Sequence, residues 1–175
     1  MKTRDDRWAQ QFGDFAENLT MYVLGQLSNM SVALIDHVGA DVIASKRSDT
    51  SVRYAISVKG RNFPSTESKS FNFTQNNIDK LTETAQTFGM IPAVSFVFVD
   101  DMEGDRKIRM FVAKLSDLLL MSTDEQIQYI NSASDGLTIK YTESRFKHWL
   151  SEIKVSEKIA YYELQFNELD NCILL

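Results

Sequence analysis

Residues 93–99, Ala-Val-Ser-Phe-Val-Phe-Val, are apolar at every position but one. A run this short, rich in β-branched and aromatic residues, reads as a strand. It has no polar face to turn toward water, so it must be covered on both sides, as at the centre of a sheet. That requirement shapes the reading of everything around it.

The flanking segments supply layers for such a sheet. Residues 5–28 carry Trp8, Phe12, Phe15, Leu19, Tyr22, Val23 and Leu27 at helical spacing, which predicts a first helix buried along that stripe. Residues 30–38, 41–45 and 52–59 read as three strands, separated by a turn at Gly39 and a polar connection at 46–51. In the third strand Tyr54, Ile56 and Val58 face one way, and Arg53, Ala55, Ser57 and Lys59 the other. Residues 60–70 read as a polar loop. Thr74 is placed to cap a helix over 75–88, with Ile78, Leu81, Ala85 and Phe88 as its stripe and Gly89 as its stop. After the central strand come a turn at 101–105, a hairpin partner at 107–113, short helices at 115–120 and 123–131, a strand at 137–141 and an amphipathic segment at 143–153. Residues 159–175 stay unassigned. The order predicts an α/β (α+β) layout with a mixed sheet, in one domain of residues 1–175.

Composition narrows the function classes. The single cysteine, Cys172, excludes an intramolecular disulfide and a cysteine-based zinc site. No apolar run approaches the roughly 20 residues a spanning helix needs. The opening Met1-Lys-Thr-Arg-Asp-Asp6 leads into no apolar stretch, so no signal peptide is expected. A cytoplasmic protein is the expectation. The net charge of −5 argues against tight, non-specific nucleic-acid binding. Yet Lys46, Arg47, Arg53, Lys59 and Arg61 fall within sixteen positions opposed only by Asp49, which allows a local basic cleft as readily as a solvated face.

Four positions carry chemistry. Glu17 lies in the first helix, Asp41 opens the second strand, and Ser57 and Lys59 share a face of the third. A carboxylate at a strand start beside a lysine-bearing strand suits a divalent ion and a hydrolytic water. Each residue also has an ordinary reading. Glu17 lies opposite the apolar stripe, Asp41 follows a turn where aspartate bonds local backbone, and lysines commonly close strands. Phe63, Phe71 and Phe73 are read as lying in a polar loop, either anchoring it to the core or touching a substrate or a partner subunit.

Taken together, Gly13-Asp-Phe-Ala-Glu17, Val38-Gly-Ala-Asp41-Val-Ile-Ala44 and Tyr54-Ala-Ile-Ser-Val-Lys59 resemble the core of the PD-(D/E)xK nuclease superfamily. The likeness is to its archaeal Holliday-junction-resolvase and restriction-endonuclease-like branches. It spans roughly residues 10–100 and continues through Gln75-Asn-Asn-Ile-Asp-Lys-Leu81. The resemblance implies a restriction-endonuclease-like mixed sheet flanked by helices. Residues 10–113 would form the nuclease-like core and 114–175 a C-terminal extension. It also implies a Mg²⁺- or Mn²⁺-dependent DNA endonuclease working as a homodimer. In it Asp41 is the central metal ligand, Glu17 an auxiliary ligand, the Val58 main-chain carbonyl a further contact, and Lys59 the catalytic lysine. Gln75 falls near a helix glutamine that helps position the site in some relatives. Lys46, Arg47 and Arg61 are the expected DNA contacts.

One departure bears on all of this: the acid of the family's E-x-K strand is Ser57 here. A hydroxyl is a poorer Mg²⁺ ligand than a carboxylate. Three outcomes follow from it. The site is inactive, or another acid such as Glu67 or Asp36 takes the role, or Asp41, Glu17 and water suffice for one ion. An inactive site would leave a module that binds nucleic acid or a protein partner, or a subunit of a phage or defence system.

Overall fold

The structure is a computed structural model, and it describes residues 6–63, 70–102, 105–124, 130–133, 135–140 and 158–165. Chain order runs α1 (Asp6–Gly25), β1 (Met30–His37), β2 (Ala40–Lys46), β3 (Arg53–Phe63), β4 (Ser70–Thr74), α2 (Gln75–Thr87) and β5 (Ile91–Met102). It continues β6 (Asp105–Lys114), α3 (Leu115–Ser122), β7 (Ile130–Ala133), β8 (Gly136–Lys140) and β9 (Ile159–Gln165). The apolar run lies in β5, third from the edge of a six-stranded sheet ordered β1-β2-β3-β5-β6-β9. β1, β2 and β3 form an antiparallel meander; β3 and β5 are parallel, while β5, β6 and β9 alternate again. This is the expected mixed sheet flanked by helices.

Strand alternation sorts the core into two layers. Val42, Ala44, Ile56, Val58, Ala93 and Val97 pack with Ala16, Val23 and Leu24 of α1. Ala55, Val94, Phe96, Phe98 and Phe111 pack on the other face with α2, α3 and a small sheet ordered β4-β8-β7. The predicted faces of β3 are therefore the observed ones. β9 belongs to the main sheet, so the C-terminal part contributes a sixth strand to the core layer.

The first helix is rotated from its predicted stripe. Its buried residues include Ala16, Thr20, Val23 and Leu24, whereas Phe15, Tyr22 and Leu27 are exposed. The cause is how closely α1 lies on the sheet. A Cβ on Gly60 would stand 2.8 Å from Phe12 Cε1 and 3.1 Å from Ala16 Cβ, so small residues take the contact and the aromatics move to the flanks. Deeper in the same interface, the buried hydroxyls of Thr20 and Ser95 bond at 2.9 Å.

Three other expectations change. β3 continues to Phe63, where a loop from residue 60 was predicted, because β5 pairs with it in register as far as Phe63↔Asp100. Phe71 and Phe73 lie on a strand, β4, and not in a loop, and at 3% and 0% exposed they take the expected core-anchoring place. Ile130 and Asn131 belong to a strand rather than a helix. The amphipathic segment 143–153 and Glu67 lie outside the described residues. Among the described residues, no helix is long and apolar enough to cross a membrane.

Candidate functional site

β2 and β3 pair regularly from Ser45↔Arg53 to Val42↔Ile56, and there the ladder stops. One residue further, a side chain takes the place of main chain. Asp41 Oδ2 accepts the Val58 N–H at 2.6 Å and the Ser57 hydroxyl at 3.4 Å. A main-chain donor on a carboxylate is a charge-assisted bond, and the 2.6 Å separation is at the short end for one. Past this point β3 runs on beside β5 alone, so a fork opens between β2 and β3.

The other side of β2 is irregular at the same residue. The β1–β2 register runs from Met30↔Lys46 to Leu34↔Val42 and resumes at His37↔Ala40. Two residues of β1, Ile35 and Asp36, thus stand opposite Asp41, as in a β-bulge. The preceding turn is clamped by Gly39, whose φ is +91° and whose Cβ position would lie 2.6 Å from the Lys80 carbonyl carbon. Only glycine fits such a turn against the backbone of α2, and the turn sets where β2 begins.

Lys59 projects from the same face of β3 as Ser57, one pleat further into the fork. It is half-buried, with no hydrogen bond or ion pair among the described residues. Glu17 reaches this region from α1. Its carboxyl is held above the usual range, first by burial, then by the charges of Asp41, Asp14 and Asp36, with Lys59 opposing them. Five charged groups therefore share one field. Asp14 escaped the sequence reading, although it lies one helical turn before Glu17 and so on the same side.

Other expected residues lie apart. Gln75 is exposed, and its Nε2 donates to Asp79 Oδ1 at 2.8 Å along its own helix. Lys46 and Arg47 stand at the opposite end of β2, roughly 16 Å or more from Asp41 along the strand, and Arg47 Nε bonds the Ser31 hydroxyl at 3.2 Å. Arg61 is close by, two residues beyond Lys59.

The donors fit a hard divalent ion in kind. They are carboxylate oxygens of Asp41 and Glu17 and a main-chain oxygen. A strand residue's N–H and C=O project to the same side. The Val58 N–H turns toward Asp41, so its carbonyl also faces the fork. Crowded acids with one raised carboxyl are the condition a cation relieves. Among the described residues, no three acids, histidines or cysteines are gathered as a closed ion cage.

No family model matches the sequence, and no curated protein matches it. Among solved structures, the chain is similar to Hjc of Archaeoglobus fulgidus, a Holliday junction resolvase from an archaeal hyperthermophile. The two share 15% identity over 78% of this chain and 88% of that one, with a TM-score of 0.44.

Proposed function

We propose that this chain is a divalent-metal-dependent DNA endonuclease of the PD-(D/E)xK type, with its site in the fork between β2 and β3. The observation that carries the reading is the Asp41 carboxylate, locked on the Val58 N–H at 2.6 Å. Lys59 lies on the adjoining strand face and Glu17 within the same field. Asp41, Glu17 and the Val58 carbonyl would hold Mg²⁺ or Mn²⁺, which when bound supplies Lewis acidity toward the phosphodiester. Lys59 offsets the negative charge that gathers on the phosphoryl oxygens during attack. The bond from Val58 keeps the Asp41 carboxylate from swinging away, and packing of α1 on Gly60 holds Glu17 over the fork. A homodimer would present two such sites to two strands.

A second reading has one specific observation behind it. Ser57 is 3% exposed and spends its hydroxyl on Asp41, in the place where the resemblance calls for an acid. On that reading the chain is an inactive nuclease-fold module that binds nucleic acid or a protein partner.

The test is incubation of the purified protein with circular, linear and branched DNA in Mg²⁺ or Mn²⁺, beside Asp41→Asn. The asparagine can still accept from Val58 and so preserves the local fold. Asp41→Ala would orphan that donor, at about 1–3 kcal/mol. The expected result is cleavage by the native chain and a loss of at least a hundredfold in the variant. Cleavage that survives Asp41→Asn rejects the site. DNA binding with no cleavage in either ion favours the inactive module.

A further inference from the structure

Arg61 is an exposed arginine in a chain of net charge −5, yet no carboxylate holds it among the described residues. Its Nη1 donates to the Gly60 carbonyl at 2.9 Å, and its guanidinium carbon lies 4.8 Å from the centre of the Phe71 ring. Arg109 makes the contrast: its Nε is paired with Glu163 at 2.9 Å. Guanidinium on a buried ring is oriented without being neutralised. The ring is itself immobile, because Phe71 is 3% exposed and packs edge-on to Phe96.

Position matters as much as charge. Arg61 is two residues beyond Lys59, so the two cations share one face, about 6.6 Å apart along the strand. That is comparable to the step between neighbouring phosphates along one nucleic-acid strand. Both stand on the stretch of β3 that β2 has left, with Lys59 aligned on Phe96 and Arg61 on Phe98 of β5. Neither is bonded to an acid among the described residues.

We infer that Lys59 and Arg61 grip successive phosphates of a single DNA strand running along β3, with Arg61 anchoring the phosphate next to the one at Asp41. This rests on the proposed function for the identity of the polymer, and it adds a direction and a register to it. The small sheet then has a role in the site, since its Phe71 sets the angle of the anchoring guanidinium. Arg61 is a binding residue that does not touch the reacting atoms.

The experiment separates anchoring from chemistry. Binding of a fluorescein-labelled oligonucleotide is measured by anisotropy in EDTA, so no cleavage is needed, for the native chain, Arg61→Ala, Arg61→Lys and Lys114→Ala. Lys114, at the far end of β6, controls for net charge. Arg61→Ala is expected to weaken binding about tenfold and to reduce the slope of log K against log salt by roughly 0.7 for a single strand. Arg61→Lys keeps the charge but not the stacked plane and falls between. Lys114→Ala stays within about twofold on the same counterion grounds.

Native-strength binding by a folded Arg61→Ala, or a loss no larger than that of Lys114→Ala, overturns the inference. So does an oligonucleotide that the native chain does not bind. Binding that depends on Arg61 without any cleavage upholds the inference while the endonuclease reading fails. Cleavage that is indifferent to Arg61 does the reverse.

Discussion

Ser57 concentrates the chemistry of the fork in one side chain. It is buried, and it bonds to the carboxylate that would hold the ion. Placing an acid there puts a second negative charge against Asp41 in a place with little water. Ser57→Asp is therefore expected to lower stability in EDTA by about 3 kcal/mol, the scale of an uncompensated buried charge. A bound ion reverses the sign of the interaction. Millimolar Mn²⁺ is expected to raise the melting temperature of Ser57→Asp by more than it raises that of the native chain, following the linkage between ligand binding and folding. Thermal melts of both proteins with and without the ion make the comparison. Equal shifts would mean that position 57 does not face the ion. The sequence was informative at this scale about β3: Ser57 and Lys59 share a face, because strand alternation fixes faces without further knowledge, and Ser57 meets Asp41. The resemblance put Gln75 near the site, but the sequence did not show that its side chain takes Asp79, since an exposed amide takes whichever partner its helix offers.

At the scale of elements, the placing of α1 governs Glu17. The helix rests on Gly60 through Phe12 and Ala16, and Thr20 reaches through the layer to Ser95. The methyl group of Gly60→Ala would stand 2.8 Å from the Phe12 ring and 3.1 Å from Ala16 Cβ, so the ring and the helix that carries it must give way. Overpacking of this kind costs about 1–3 kcal/mol, and the shift would carry Glu17 away from Asp41. A drop of that size in the unfolding free energy from urea titration, with cleavage lost beyond what the stability change explains, is the expected outcome. Measurement well below the transition separates the two effects. The helical stripe was misread from sequence because aromatic side chains dominate a periodicity count, while this interface selects for smallness. β4 was missed for a related reason. Its Ser-Phe-Asn-Phe-Thr alternation is a strand pattern, but it follows polar residues and becomes a strand only through its partner β8, more than sixty residues later. The reach of β3 to Phe63 likewise depends on the distant β5.

For the whole molecule, β9 closes the sheet, and one carboxylate helps to hold it. Glu163 accepts from the Tyr161 hydroxyl and from Arg109 Nε, across the β6–β9 register. Burial is the largest single influence on it and opposes its charge. The bonds from Tyr161 and Arg109, with Lys107 nearby, together outweigh burial and hold its carboxyl below the ordinary range. A carboxyl depressed on folding adds stability above its unfolded pKa of 4.5, and that stability is lost as pH falls through the lower folded value. Glu163→Gln is expected to flatten the fall in stability below about pH 4.5, as read from urea midpoints between roughly pH 3 and 6. An unchanged acid limb would place the proton uptake elsewhere. The joining of residues 159–165 to the sheet was not legible from the sequence, because Ile-Ala-Tyr-Tyr-Glu-Leu-Gln alternates weakly and its pairing partner lies some fifty positions earlier.

The bond between Asp41 and Val58 makes one amide proton a witness to events in the fork. Where two strands would ordinarily exchange main-chain bonds, this proton answers to a carboxylate alone. Anything that changes the charge on that carboxylate, whether an ion, a proton or a substituted neighbour, changes the strength of its bond to the amide. The resonance of one backbone nitrogen and its hydrogen therefore reports on the state of that carboxylate, and no foreign label is needed to read it.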